Sequence, residues 1–135
     1  MATLKISDLS VGDWVRWEVY DKTYDMLVSA VTDRRIYGLH DGIEYSMLLT
    51  QIYPIPITAE VLEKNGFVKK NYDNGKMWDW WCDNVLVRKY ADEDIYRFIV
   101  ALNSKHYTTT MVVGKHTHQL QHALSLAGVD KEINL

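Results

Sequence analysis

The chain has 135 residues and a formal net charge of −3, with 47% hydrophobic and 24% charged residues. This composition is that of a folded globular protein and excludes a disordered or fibrous chain. Residues 1–57 carry the whole net charge of −3 and residues 58–135 carry none, so neither part has the basic surface of a non-specific nucleic-acid-binding protein. A single cysteine, Cys82, excludes an internal disulfide and favours a reducing compartment.

Short strands separated by turns dominate residues 1–57, and they predict a small SH3-like β-barrel. The clearest signal is a hairpin around Asp41 and Gly42, because an Asp-Gly pair tolerates the positive φ angles of a two-residue turn. Pro54 and Pro56 confine the last strand to a sheet edge. The predicted strands are Trp14–Tyr20, Tyr24–Thr32, Ile36–His40, Ile43–Leu49 and Ile52–Ile57.

Residues 58–135 predict a helix, an antiparallel meander and a closing helix, so that the whole chain belongs to the α+β class. Thr58 is the expected N-cap of the first helix, and Asn65-Gly66 should end it with Phe67 folding back onto Leu62. We expect this unit to pack with the barrel as one compact body. The predicted meander strands are Phe67–Tyr72, Met77–Cys82, Val85–Tyr90, Ile95–Leu102 and Tyr107–Val113.

The closing helix is predicted over Lys115 to Ala127, with Gly128 as a left-handed cap. Its apolar side chains recur at helical spacing and predict one buried face, formed by Leu120, Ala123, Leu124 and Ala127. The opposite side carries His118, His122 and Ser125, which we interpret as an exposed polar face.

Three tracts of the sequence resemble a family of small proteins encoded by Bacteroidetes, their phages and mobile elements. The tracts are DLSVGDWV (Asp8 to Val15), PIPITAEVLEKNGF (Pro54 to Phe67) and HQLQHAL (His118 to Leu124). The family has no assigned activity, cofactor or catalytic residue. The resemblance therefore implies a phage or mobile-element setting and transfers no functional site.

The densest aromatic stretch is Met77 to Cys82, which contains three tryptophans. Alternation in a strand places one set of its side chains in the core beneath the helices and leaves the other set on the open face of the sheet. That open face could stack on a ligand or on a partner's side chains. The candidate binding residues are Trp78, Trp80, Trp81, Arg88 and Tyr90.

The histidines of the closing helix are the candidate metal ligands. His118 and His122 are one helical turn apart, as in zinc-protease helices, with His116 or His106 as a third ligand. The residue after His118 is Gln119, however, where the protease motif has a catalytic glutamate. We therefore favour the exposed polar face over a metal site.

These features favour a non-enzymatic binding module that engages a host protein or a small ligand, including a nucleotide. The alternative is a nucleic-acid-binding protein that uses the barrel and scattered basic pairs, and a metal-dependent enzyme is less favoured. No cofactor is expected, and the oligomeric state is not predicted. No apolar run approaches about 18 residues and no signal-peptide pattern follows Met1, so we expect a cytoplasmic protein without a membrane partner.

Overall fold

The structure, a computed structural model, describes residues 4–72, 75–83, 85–101, 109–129 and 131–135. It divides into two units, Met1–Ile55 and Pro56–Leu135, and each unit is built on a five-stranded antiparallel sheet. The protein is thus mostly β with two short helices, in agreement with the predicted α+β class. Within the described ranges, no helix has the length and apolarity that crossing a membrane requires.

The first sheet has the strand order β4-β3-β2-β1-β5. The predicted Asp-Gly hairpin is confirmed, because Asp41 and Gly42 join β3 to β4 with φ angles of 51° and 77°. Single 3₁₀ turns occur at Ile6–Asp8 and Leu49–Gln51. The strands are β1 (Trp14–Val19), β2 (Lys22–Val31), β3 (Ile36–His40), β4 (Ile43–Met47) and β5 (Ile52–Pro54).

The prediction of a closed SH3-like barrel is wrong. Across the described part of the first unit, β4 pairs only with β3 and β5 pairs only with β1, so no ladder joins the two edge strands. The physical reason lies in β5, which ends at Pro54 after three residues. Proline has no N–H to donate, and so short a strand offers few backbone groups to a second neighbour.

The open sheet is nevertheless strongly curled. The rings of Trp17 on β1 and Tyr45 on β4 are 5.6 Å apart, although two strands lie between them and a flat sheet would separate them by about 14 Å. A register shift between Val28 and Ala30 marks a β-bulge in β2, which bends the strand. Gly38 packs closely against the core side chains, because a Cβ there would be 2.6 Å from the Met47 side chain and 3.2 Å from that of Met26.

The concave side of the curled sheet holds the core of the first unit. The buried apolar residues come from all five strands and from the segment that precedes β1, and the largest of them are fully inaccessible. They are Leu4, Leu9, Val15, Met26, Val28, Ile36, Met47 and Ile52.

The second sheet is a simple meander with the strand order β10-β9-β8-β7-β6. All its consecutive strands pair antiparallel, as the short predicted connections required. The strands are β6 (Val68–Tyr72), β7 (Met77–Cys82), β8 (Val85–Tyr90), β9 (Tyr96–Ala101) and β10 (Thr109–Gly114).

Two helices accompany the second sheet, α1 (Ala59–Lys64) and α2 (Thr117–Leu126). The predicted cap of α1 is confirmed, because the Thr58 hydroxyl accepts a hydrogen bond from the Val61 N–H at 3.2 Å. Both predicted Schellman endings are also present. The Phe67 N–H donates to the Leu62 carbonyl, and the Val129 N–H donates to the Leu124 carbonyl, each at 3.0 Å.

Helix α2 lies on one face of the second sheet, which we call the helix-side face. A Cβ at Gly114 on β10 would lie 2.4 Å from Gln119 of α2, so this face of β10 touches the helix. The cross-strand register places Val85, Val87 and Phe98 on the same face, and each has 0% exposure. The opposite face of the sheet is called the far face.

The turn between β1 and β2 differs from its prediction. The sequence placed it at Asp21-Lys22-Thr23, but Tyr20 and Asp21 form it with φ angles of 50° and 60°. These angles are those of a type I′ turn, which favours Asn-Gly. Tyr20 is a poor residue for a positive φ and is 92% exposed, so burial does not compensate for the strain.

Replacing the turn by Tyr20→Asn/Asp21→Gly should therefore stabilise the first unit by about 1 kcal/mol. Urea unfolding followed by tryptophan fluorescence measures the change. Gly42→Ala in the other hairpin is the matched control. It should lower the free energy of unfolding, since the φ of 77° at this position disfavours a side chain. A double variant no more stable than the wild type would show that the turn is not strained.

Candidate functional site

The tryptophan-rich strand β7 divides its aromatic residues between the two faces of the sheet. Trp80 lies on the helix-side face with 3% exposure, and its ring is 6.1 Å from that of Tyr96. Trp78 shares this face and lies under the ammonium group of Lys89, 5.8 Å away. Trp81 alternates to the far face and is half-buried. The structure therefore does not bring the three tryptophans together on one binding surface.

Arg88 and Tyr90, the other two predicted binding residues, lie on the far face with Trp81. The guanidinium of Arg88 donates two hydrogen bonds, at 2.8 and 3.0 Å, to the carboxylate of Asp79, whose side chain is 1% exposed. This charge-assisted bond raises the pKa of Arg88 above its ordinary value, and partial burial opposes the increase. Arg88 is consequently fixed in place and charged.

A second arginine lies directly across from Arg88 in the ladder. Arg97 contacts both carboxylate oxygens of Glu93, at 2.6 and 2.8 Å, and its guanidinium lies 5.3 Å from the centre of the Tyr90 ring. Like charges at directly opposed positions destabilise a sheet, so each arginine needs its carboxylate. Together these groups border an open depression of about 470 Å³, lined by Arg88, Tyr90, Asp92, Glu93, Arg97 and Ile99.

The histidines of α2 do not form the exposed face that was expected, because His118 is only 4% exposed. Its ring stacks on that of His116 at 5.9 Å and meets the edge of His122 at 5.8 Å. Among the residues with described coordinates, no group of three His, Cys, Asp or Glu side chains is arranged to hold a metal ion. His106 lies outside the described residues. Burial and the neighbouring charge of Lys115 lower the pKa of His116.

Gln119, which occupies the position of the catalytic glutamate in the zinc-protease motif, has a structural role here. Its side-chain oxygen accepts hydrogen bonds from the backbone N–H groups of Lys115 and His116, at 2.9 and 3.1 Å. It thereby satisfies donors at the start of α2, as the last residue of a capping box does.

The structure shows an aromatic cluster in the first unit that the sequence pattern does not predict. Trp17, Tyr24, His40 and Tyr45 form it at one end of the concave side of the sheet. Trp17 contacts Tyr24 at 6.0 Å and Tyr45 at 5.6 Å, and Tyr24 contacts His40 at 5.3 Å. Trp17 is oriented by its indole N–H, which donates to Gln51 at 3.1 Å. The rings are half-buried to exposed, so part of the aromatic cluster faces solvent.

Strand β4 borders the aromatic cluster and forms an open edge of the sheet. Four of its five residues are exposed, including Ile43 at 57% and Tyr45 at 36%. In a two-residue hairpin the residues that flank the turn form a hydrogen-bonded pair with each other. Ile43, Tyr45 and Met47 therefore bond to β3, whereas Glu44 and Ser46 direct their backbone N–H and C=O groups away from the sheet.

Strand β4 itself has few of the features that usually block strand pairing, and Glu44 is its only charged residue. Proteins protect edge strands with lysine, proline, bulges or covering segments. Strand β4 contains neither lysine nor proline and has a regular register with β3. The sequence could have revealed this, since alternation places Ile43 and Tyr45 on one side. It could not reveal the aromatic cluster, because the contacts between its four residues depend on the curl.

Comparison with known protein families, with curated protein sequences and with solved structures gives no significant match for this chain.

The buried Asp79–Arg88 pair predicts an asymmetric mutational response. Arg88→Met should destabilise the protein by about 3 kcal/mol, because it leaves a carboxylate buried without its partner. Asp79→Leu/Arg88→Met removes both charges and should recover much of the stability that Arg88→Met loses. The free energy of unfolding in urea measures both effects. A double variant as unstable as Arg88→Met would show that the cost arises from packing.

The lowered pKa of His116 predicts that acid destabilises the fold. Between the ordinary pKa of about 6.5 and the lowered value, the unfolded chain binds a proton that the folded chain does not. The free energy of unfolding should therefore fall as the pH drops below about 6.5. Urea unfolding at several pH values should show a smaller fall for His116→Gln than for the wild type, and an equal fall in both proteins would contradict the prediction.

Proposed function

We propose that this protein is a non-enzymatic binding module that captures an extended segment of another protein by strand addition at β4. The observation that carries the proposal is the open β4 edge with its exposed apolar side chains. A segment that pairs there gains main-chain hydrogen bonds from Glu44 and Ser46, and its alternate side chains reach the surface beside Ile43 and Tyr45. The aromatic cluster then supplies the large contact area that dominates many interfaces.

The other edge of the same sheet does not offer this mode of binding. Strand β5 is three residues long, includes Pro54, and keeps Ile52 at 1% exposure. Such an edge is short and lacks one donor, which are two common ways of preventing strand addition. The contrast between the two edges supports β4 as the binding edge.

A second candidate function is the binding of a small polar ligand in the depression beside Arg88 and Tyr90. The lining residues with Asp79 include two arginines and three acidic residues, so their formal charge is −1. This balance disfavours phosphates and other anions, and fits a neutral or cationic ligand. Since Arg88 and Arg97 are already engaged by carboxylates, nucleic-acid binding through these residues is disfavoured as well.

The predicted partner from a host cell depends on the resemblance to phage and mobile-element proteins and remains a prediction. Cytoplasmic localisation likewise remains a prediction from the sequence.

Strand addition predicts that a proline on the outward-facing part of β4 abolishes binding. Ser46→Pro removes an N–H that points away from β3, so the hairpin should remain folded while the edge loses a donor. Peptides enriched from a random heptapeptide library displayed on phage should bind the wild type and lose at least tenfold in affinity for Ser46→Pro. Isothermal titration calorimetry with the synthesised peptides measures the difference.

Ser46→Ala is the matched control. Both variants lose the hydrogen bond that Arg35 donates to the Ser46 hydroxyl at 2.9 Å, but only the proline variant loses the backbone donor. Equal binding to both variants would exclude strand addition at this edge. Arg97→Gln distinguishes strand addition from the second candidate function. It alters the depression in the other unit and should leave peptide binding at β4 unchanged.

A further inference from the structure

The negative charge of the first unit is concentrated in the two hairpins that carry the aromatic cluster. Residues 16–25 and 40–45 contain five acidic and two basic side chains, a formal charge of −3. The rest of this unit has three of each sign and is neutral. The acidic residues of the hairpins are Glu18, Asp21, Asp25, Asp41 and Glu44, and the basic ones are Arg16 and Lys22.

Only part of this charge is neutralised by contacts inside the unit. Arg16 approaches the carboxylate of Asp25 at 3.5 Å. Asp41 lies 3.4 Å from the imidazole of His40, but its side chain is 87% exposed. Asp21 is also exposed and lies in the other turn at the same end of the sheet. Two exposed carboxylates thus lie at the end of the sheet where the aromatic rings are found.

Aromatic rings and nearby carboxylates are together a binding environment for a cation. The face of a tryptophan or tyrosine ring attracts an ammonium or guanidinium group, and the attraction grows when the group is partly desolvated. Trp17 and Tyr45 are in tilted contact at an interplanar angle of 44°, and both rings lie on the concave side of the sheet. Carboxylates at the rim add long-range attraction and raise the association rate.

We propose that the segment captured at β4 is basic, and that it places a lysine or arginine side chain on the aromatic cluster within the field of Asp21 and Asp41. This inference rests on the proposed strand addition and specifies its partner. An acidic segment or a nucleic acid would bring further negative charge to a surface of charge −3. Strand addition provides the position along β4, and the basic side chain provides the selectivity.

Three acetylated and amidated heptapeptides test this selectivity. They share one frame of alternating threonine and valine, and differ at two positions, which are lysine in the first peptide, glutamine in the second and glutamate in the third. The full chain is titrated with each peptide and followed by NMR. The amide signals of Glu44 and Ser46 report strand addition, and the indole N–H of Trp17 reports contact with the aromatic cluster.

The lysine peptide should bind roughly fivefold or more tightly than the glutamine peptide, and the glutamate peptide should bind most weakly. The preference should shrink as salt is raised, because exposed charges are screened. Asp21→Asn and Asp41→Asn should each weaken the lysine peptide about two- to fivefold and leave the glutamine peptide unchanged. Asparagine tolerates the positive φ of both turns, so the hairpins are preserved.

Asp33→Asn, in the exposed turn between β2 and β3, is the control for loss of one charge away from the aromatic cluster. Equal affinity for the three peptides, with shifts at Glu44 and Ser46, would overturn the basic preference and leave strand addition intact. An absence of these shifts with every peptide would overturn both proposals. Tighter binding of the glutamate peptide or of a single-stranded oligonucleotide would also overturn the basic preference.

Discussion

The contact between Trp17 and Tyr45 is the constraint on which the curled shape of the first sheet depends. It joins β1 to β4 across two intervening strands, and it can form only if the sheet curls. The bulge in β2 bends the strand, and a Cβ at Gly38 would meet the side chains of Met47 and Met26 on the inside of the curl. The curl encloses the apolar core at one end of the concave side and gathers the aromatic cluster at the other end.

Because the sheet curls without closing, its two edges have different properties. Closure would have used the N–H and C=O groups of β4 in a ladder with β5. The proline-terminated β5 does not reach β4, so the backbone groups of Glu44 and Ser46 remain directed outwards beside the exposed Ile43 and Tyr45. The same short strand that makes the barrel prediction wrong therefore creates the surface to which we assign binding.

Local features of the fold were predictable from the sequence because neighbouring residues determine them. The Asp41-Gly42 hairpin, the Thr58 cap and the glycine endings of both helices each depend on a few adjacent side chains. The Tyr20–Asp21 turn was missed because Tyr20 does not favour a positive φ, and strand pairing imposes that conformation.

Features that depend on contacts between distant residues were not predictable. Alternation along β7 correctly placed Trp80 and Trp81 on opposite faces of the sheet. Which of the two faces is buried, however, depends on where the helices pack. His118 lies opposite the apolar residues of α2, and neither its burial nor its ring contacts with His116 and His122 can be derived from helical spacing alone. The candidate site was not predictable for the same reason, because the four residues of the aromatic cluster are brought together only by the curl of the sheet.

An unprotected edge strand normally carries a risk of self-association, and the charge of this unit reduces that risk. If β4 paired with β4 of a second chain, two surfaces of charge −3 would be brought together, and the register that opposes the two Glu44 residues would be penalised further. Repulsion between copies thus replaces the lysines and prolines that protect other edges. The same charge attracts a basic segment. One arrangement of side chains therefore disfavours pairing of β4 with a second copy of itself and favours pairing with the proposed partner.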